Sequence, residues 1–76
     1  MKLNDLAEGE TGIVTSMDLE DESMIRLMEL RIIEGTEIKL IKYGPFGSPI
    51  QIQIYGSSYM FRKNQAEKIG VKYHPQ

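Results

Sequence analysis

The stretch TEIKLIKYGPFGSPIQIQIYGSSYMFRK, residues 36–63, decides the fold class. TEIKLIKY and IQIQIY alternate apolar and polar residues at period two, as half-buried strands do. YMFR follows immediately after Gly56-Ser57, a pair suited to a two-residue turn with Gly at its first central position. That turn predicts a register in which Ile54 faces Tyr59 and Ile52 faces Phe61. Gln51 and Gln53 then fall opposite Arg62 and Met60 on the other side. One face of this meander is apolar and the other mostly polar. Ile52, Ile54 and Phe61 are therefore expected to be critical to the fold. The intervening Gly44-Pro45-Phe46-Gly47-Ser48-Pro49 is rich in residues that central strands exclude, so it reads as a loop with Phe46 at its tip, the ring either exposed for binding or folded back onto the barrel as an anchor.

Upstream, Gly9 and Gly12 bracket an entry into a first strand, GIVTSM, where Ile13 or Val14 must face inward. From about Glu20 to Leu30, Met24, Leu27 and Met28 recur at i, i+3 and i+4, with Ile25 and Leu30 widening the stripe into an amphipathic helix. Leu27 sits at the centre of that stripe and is expected to be core. Asp18, Glu20, Asp21 and Glu22 lie where the helix dipole favours acids. Glu34-Gly35 leads into the meander, with Gly35 able to supply the positive φ of a type II turn. Downstream, Asn64 and Glu67 have capping-box spacing for a short helical turn. IGVKY then reads as a last strand. One helix among five short strands predicts a mainly β protein, a small SH3-like antiparallel barrel formed as one domain over residues 1–76. The amphipathic helix follows the first strand and the helical turn precedes the last.

Composition excludes several function classes. The 76 residues contain no cysteine and one histidine, so no thiolate cage, disulfide or nucleophilic thiol is available. A stability of roughly 4 to 11 kcal/mol is expected for a chain of this length. No run approaches the ~18 apolar residues that span a bilayer, and the N-terminus has no apolar signal core; the chain is expected to be soluble and cytoplasmic. The net charge is −2, which disfavours nucleic-acid binding. The average hides a division: residues 1–37 hold ten acids and three bases, net −7, whereas residues 38–76 hold six bases and one acid, net +5. The glycines form neither a Walker A loop nor a dinucleotide fingerprint. No nucleophile and base stand at a recognisable spacing, so the chain reads as a non-enzyme with no catalytic residues. His74, beside Pro75 near the C-terminus, and the acidic run at 18–22 are too sparse in convergent ligands to predict a metal site or a cofactor.

The order of these parts resembles the FeoA family, small accessory domains of bacterial ferrous-iron transport. The resemblance runs through Leu6, Gly9 and Gly12, the helix end Arg26-Leu27-Met28-Glu29-Leu30, Gly35, the Pro45-Phe46-Gly47-Ser48-Pro49 loop and the ending IQIQIYGSSYMFRKNQAEKIGV. It departs where Arg31 stands for the family's usual Gly, Glu34 for Pro and Ser48 for Asp. The resemblance implies an SH3-like barrel that docks on the cytosolic GTPase part of a membrane ferrous-iron permease. It implies cytoplasmic residence, with peripheral placement at the inner membrane face through that partner, and association with transition-metal transport without catalysis. Phe46, Tyr43, Lys39, Lys42 and Lys63 are the residues expected to meet such a partner. A free-standing SH3-like peptide binder or metal-responsive regulatory module is the alternative; the absence of Trp argues against a reader of proline helices.

Overall fold

The computed structural model describes residues 1–18 and 22–75. Five strands form one antiparallel sheet: β1 (Thr11–Met17), β2 (Glu37–Tyr43), β3 (Ile50–Ile54), β4 (Ser57–Phe61) and β5 (Ile69–His74), in the order β4-β3-β2-β1-β5. Helix α1 (Glu22–Glu29) lies between β1 and β2, and α2 (Lys63–Ala66) precedes β5. The helix at 20–30 is thus shorter than the periodicity suggests, and the expectation for Glu20 and Asp21 at its start lies outside the described residues.

Alternation puts one face of every strand inside. Val14, Ile38, Leu40, Ile50, Ile52, Ile54, Phe61, Ile69 and Val71 are buried together with Leu3, Leu6, Met24, Leu27, Ile32 and Ala66. Irregularities between Val14 and Ser16 in β1, and between Leu40 and Lys42 in β2, increase local twist and help the sheet curl around this core.

The hairpin register differs from the sequence-based expectation. Ile54 pairs with Ser57, Ile52 with Tyr59 and Ile50 with Phe61; Gln51 lies opposite Met60 and Gln53 opposite Ser58. The turn residues are Tyr55 and Gly56, at φ 52° and 80°, the positive pair that a type I′ turn requires. The slip is two residues. Because side chains alternate with period two, the faces survive it and only the cross-strand partners change.

Helix α1 buries less than its pattern suggests. Met24 and Leu27 are inside, but Ile25, Met28 and Leu30 are exposed, because an eight-residue helix lying against a small sheet presents one narrow line to it. Its end is a Schellman motif: the Arg31 N–H donates to Met28 O (2.9 Å) and the Ile32 N–H to Leu27 O (3.0 Å). Arg31 itself takes the left-handed conformation, φ 65°, which costs a residue with a Cβ about 1 to 2 kcal/mol. What holds it there is the burial of Ile32 and Leu27 beneath the motif. Thr36, also buried, receives the Ile33 N–H (3.0 Å) and donates to Arg31 O (3.3 Å) through its hydroxyl. The Ile33–Thr36 turn closes through the Thr36 N–H on Ile33 O (3.0 Å), with Gly35 at φ 91°. That is the turn expected at Glu34-Gly35.

The cap of α2 is not the expected Asn64–Glu67 box. The Gln65 side chain instead accepts from the Arg62 N–H at 2.9 Å, which starts the helix two residues earlier than the Asn64 spacing implied.

The two outer strands of the sheet differ. On β5, Lys2 bridges Gly70 and the Val71 N–H donates to Met1 O at 2.8 Å. On β4, no described segment pairs with the outer side.

Candidate docking surface

Residues 44–49 leave β2 and return as β3 through a tight loop. The Gly44 N–H donates to Pro49 O at 2.8 Å, which closes its base. A Cβ on Gly44 would stand 2.8 Å from that same oxygen, so a side chain there would force the closure open. Pro45–Gly47 form a single 3-10 turn in which Phe46 takes φ 60°. This left-handed residue turns its ring away from the barrel, and Phe46 is fully exposed. Ser48 Oγ receives the Lys63 N–H at 3.4 Å, so the loop and the start of α2 lie together. Lys42, exposed and paired with Gln51 across the β2–β3 ladder, stands near the same end of the sheet.

Lys39 is placed differently. It pairs with Thr11 on one side and Gln53 on the other, and with Glu37, Tyr55 and Gly56 lines a shallow polar hollow of about 280 Å³. His74 Nε2 lies 3.4 Å from Glu37 Oε1, both side chains being about half exposed; a contact so well solvated adds little stability.

Tyr43 faces the N-terminal segment. Its hydroxyl reaches the carbonyls of Asn4 (3.0 Å) and Leu6, and its N–H donates to Glu8 Oε2 at 2.9 Å. Burial raises the phenol pKa, and the carboxylates of Asp5, Glu8 and Glu10 raise it further. The hydroxyl therefore stays a neutral donor. No local pattern in the sequence could have placed Tyr43 on carbonyls more than thirty residues upstream.

The charged halves of the sequence interleave in space. Acidic residues of the first half surround Tyr43 and face His74, while Arg62, Lys63 and Lys72 remain exposed. Among the described residues, no three His, Asp or Glu side chains come together in a way that could hold a metal ion. Of the residues expected to be critical to the fold, Leu27, Ile52, Ile54 and Phe61 are buried, and Gly35 has the positive φ its turn needs.

This sheet, its helix after β1 and its loop before β3 coincide with a known domain: the sequence matches the FeoA domain over residues 1–73. The chain belongs to the FeoA family. Among solved structures, it is 36% identical to the FeoA protein of Chlorobium tepidum, with a TM-score of 0.88 over 96% of this chain and 70% of that one. A FeoA-like protein of Clostridium acetobutylicum is 28% identical, with a TM-score of 0.89 over all of this chain and 88% of that one. The FeoA of Stenotrophomonas maltophilia, solved with zinc and described as an SH3 domain protein possibly acting as a ferrous iron transport activating factor, is 28% identical. Its TM-score is 0.82, over 95% of this chain and 89% of that one. No curated protein sequence matches the chain. The expected SH3-like, mainly β architecture is thus the one this FeoA has. No described helix is long and apolar enough to cross a membrane.

Proposed function

We propose that this FeoA domain is a non-catalytic accessory of ferrous-iron transport that docks, in the cytoplasm, on the GTPase part of an iron permease. The observation that carries the reading is Phe46, an aromatic ring held fully outside the barrel on a loop tied at both ends. A hydrophobic ring on a pinned loop loses little entropy when it enters a pocket, and such anchors dominate binding energy. Lys42 and Lys63 flank this anchor and Lys39 lies farther along β2, giving the surface a basic character suited to an acidic patch. Tyr43 supports the loop from behind through its bonds to the N-terminal segment. No step of chemistry is assigned to the chain: family membership and the sparse set of potential ligands both support a recognition role, and GTP hydrolysis belongs to the partner.

Binding of the purified domain to the permease's cytosolic GTPase region, measured by interferometry, tests this. Phe46→Ser should weaken docking at least tenfold while leaving the urea midpoint unchanged. Normal docking with a lowered midpoint would show that Phe46 is a structural plug. Lys39→Glu and Lys63→Glu should slow association more than they speed dissociation, and the defect should shrink in high salt. Capture of proline-rich peptides in place of the GTPase region would favour the free-standing peptide binder.

A further inference from the structure

The bare outer side of β4 is the strongest unassigned feature of the molecule. Ser57–Phe61 is the outer strand of the sheet, and its two-residue turn fixes which backbone groups face which way. Ile54 and Ser57 close the type I′ turn, so Ser57, Tyr59 and Phe61 exchange hydrogen bonds with β3. The N–H and C=O of Ser58 and Met60 therefore point outward, and no described residue meets them. Exposed strand edges are usually protected by a charge, a proline, a bulge or a covering segment. From Tyr55 to Phe61 there is no charge and no proline, and the β3–β4 ladder contains no bulge. Beside this edge runs a trough of about 460 Å³ lined by Leu27, Leu30, Tyr59, Met60 and Phe61, with Glu22 and Arg26 at its rim. It lies where the inward-facing side chains of an added strand would fall.

We propose that this edge pairs with the same edge of a second copy, joining two sheets across a two-fold axis at Tyr59. An antiparallel pairing with its dyad there sets Ser58 opposite the second copy's Met60, and Met60 opposite its Ser58. All four outward groups on each chain are then satisfied. Tyr59 meets its own symmetry mate at the closely spaced, non-hydrogen-bonded position, where aromatic pairs contribute most. Charge favours a copy of this chain as the occupant. Strands that meet over residues 57–61 bring no like charges together, and the dyad carries Arg62 and Lys63 past the second copy's Gly56 and Tyr55. Tyr55 is 72% exposed, and an aromatic ring is a suitable partner for those cations. The contact is one short strand and part of a trough, so the dimer is a weak one. Phe46 leaves the barrel through a different loop, and Lys63 borders both this edge and the surface around Phe46.

Sedimentation of the full chain from about 10 to 1,000 μM, a range suited to a contact this small, tests the pairing. The expected result is a monomer that becomes a dimer across this range, with the amide resonances of Ser58 and Met60 shifting with concentration while that of Val71 stays fixed. Met60→Pro removes an outward N–H and no hydrogen bond to β3, and should weaken self-association at least tenfold. If that variant fails to fold, Met60→Lys, which places an ammonium group on the edge at a 59% exposed position, is held to the same criterion. The proposal is overturned by a wild-type chain that stays monomeric throughout. It is also overturned by folded variants that dimerise as the wild type does, or by shifts confined to other amides. Movement of Ser58 and Met60 only on adding the permease's cytosolic region would assign the edge to a foreign strand.

Discussion

The two outer strands of this sheet are built to opposite purposes. β5 carries Lys72 and ends at His74-Pro75, and its outer side is occupied by residues 1 and 2 through the Lys2–Gly70 bridge and the Val71 bond to Met1 O. β4 has an uncharged sequence, and its outward backbone groups meet nothing described. The first edge is covered by residues 1 and 2, and Tyr43 holds the segment that follows them through Asn4 and Leu6. The second is supported from beneath by Leu27 of α1 but left uncovered. In a domain this small, backbone satisfied within the chain adds stability, and backbone left free is available for recognition.

The largest effects should come from truncating the core on the two sides. Leu3→Ala beneath the covered edge and Leu27→Ala beneath the bare one should each cost about 2 to 5 kcal/mol in urea unfolding, because Leu3 is 0% and Leu27 5% exposed. An unchanged midpoint for Leu27→Ala would show that α1 merely rests on the β4 side, and the contrast between the edges would become one between a folded half and a loose one. Tyr43→Phe should cost about 1 to 2 kcal/mol, the worth of its hydroxyl bonds. The pH dependence sharpens this. The folded-state pKa of Tyr43 is raised, so the stability it confers is fully present below the unfolded value of about 10 and is lost as pH rises through the raised one. Alkaline titration of stability should therefore be steeper in the wild type than in Tyr43→Phe. The smallest effect should be a gain: Arg31→Gly relieves the left-handed strain at the end of α1, offset by the greater freedom of Gly in the unfolded chain. A rise of about 0.5 to 1 kcal/mol is expected from that difference. A fall would mean that the Arg31 side chain makes a contribution beyond its backbone conformation.

Much of this comparison could be read from the letters. The alternation in IQIQI identified the buried face correctly, because a slip by two residues keeps parity; in EIKLIKY it held for Ile38 and Leu40, but the irregularity before Lys42 switches parity and brings Tyr43 against the core. The pairing itself could not be read, since it turned on Tyr55 taking a conformation that sequence preference assigns to Gly or Asn. The breadth of α1's apolar stripe misled for a related reason: periodicity counts apolar residues, whereas burial is limited by how much sheet lies beneath, and Ile25, Met28 and Leu30 overhang it. Around the candidate docking surface, the loop composition put Phe46 at the tip but left open whether its ring packs back on the barrel; the left-handed backbone at Phe46, which turns the ring out, is not written in the composition. Tyr43 carries a role that depends on a distant segment returning to it. Nothing near it in sequence signals that.

The β1–β5 ladder joins Thr11 to His74, nearly the whole length of the chain, whereas β3 and β4 meet through two residues. Closing so long a loop must precede any gain from the contacts it brings. The hairpin can therefore form early, while β1 waits for the last strand. During synthesis, residues 50–61 emerge and can pair before β5 exists. The finished barrel appears only once residues 69–74 have left the ribosome, so the nascent domain passes through an interval in which β1 as well as β4 offers an open edge to its surroundings.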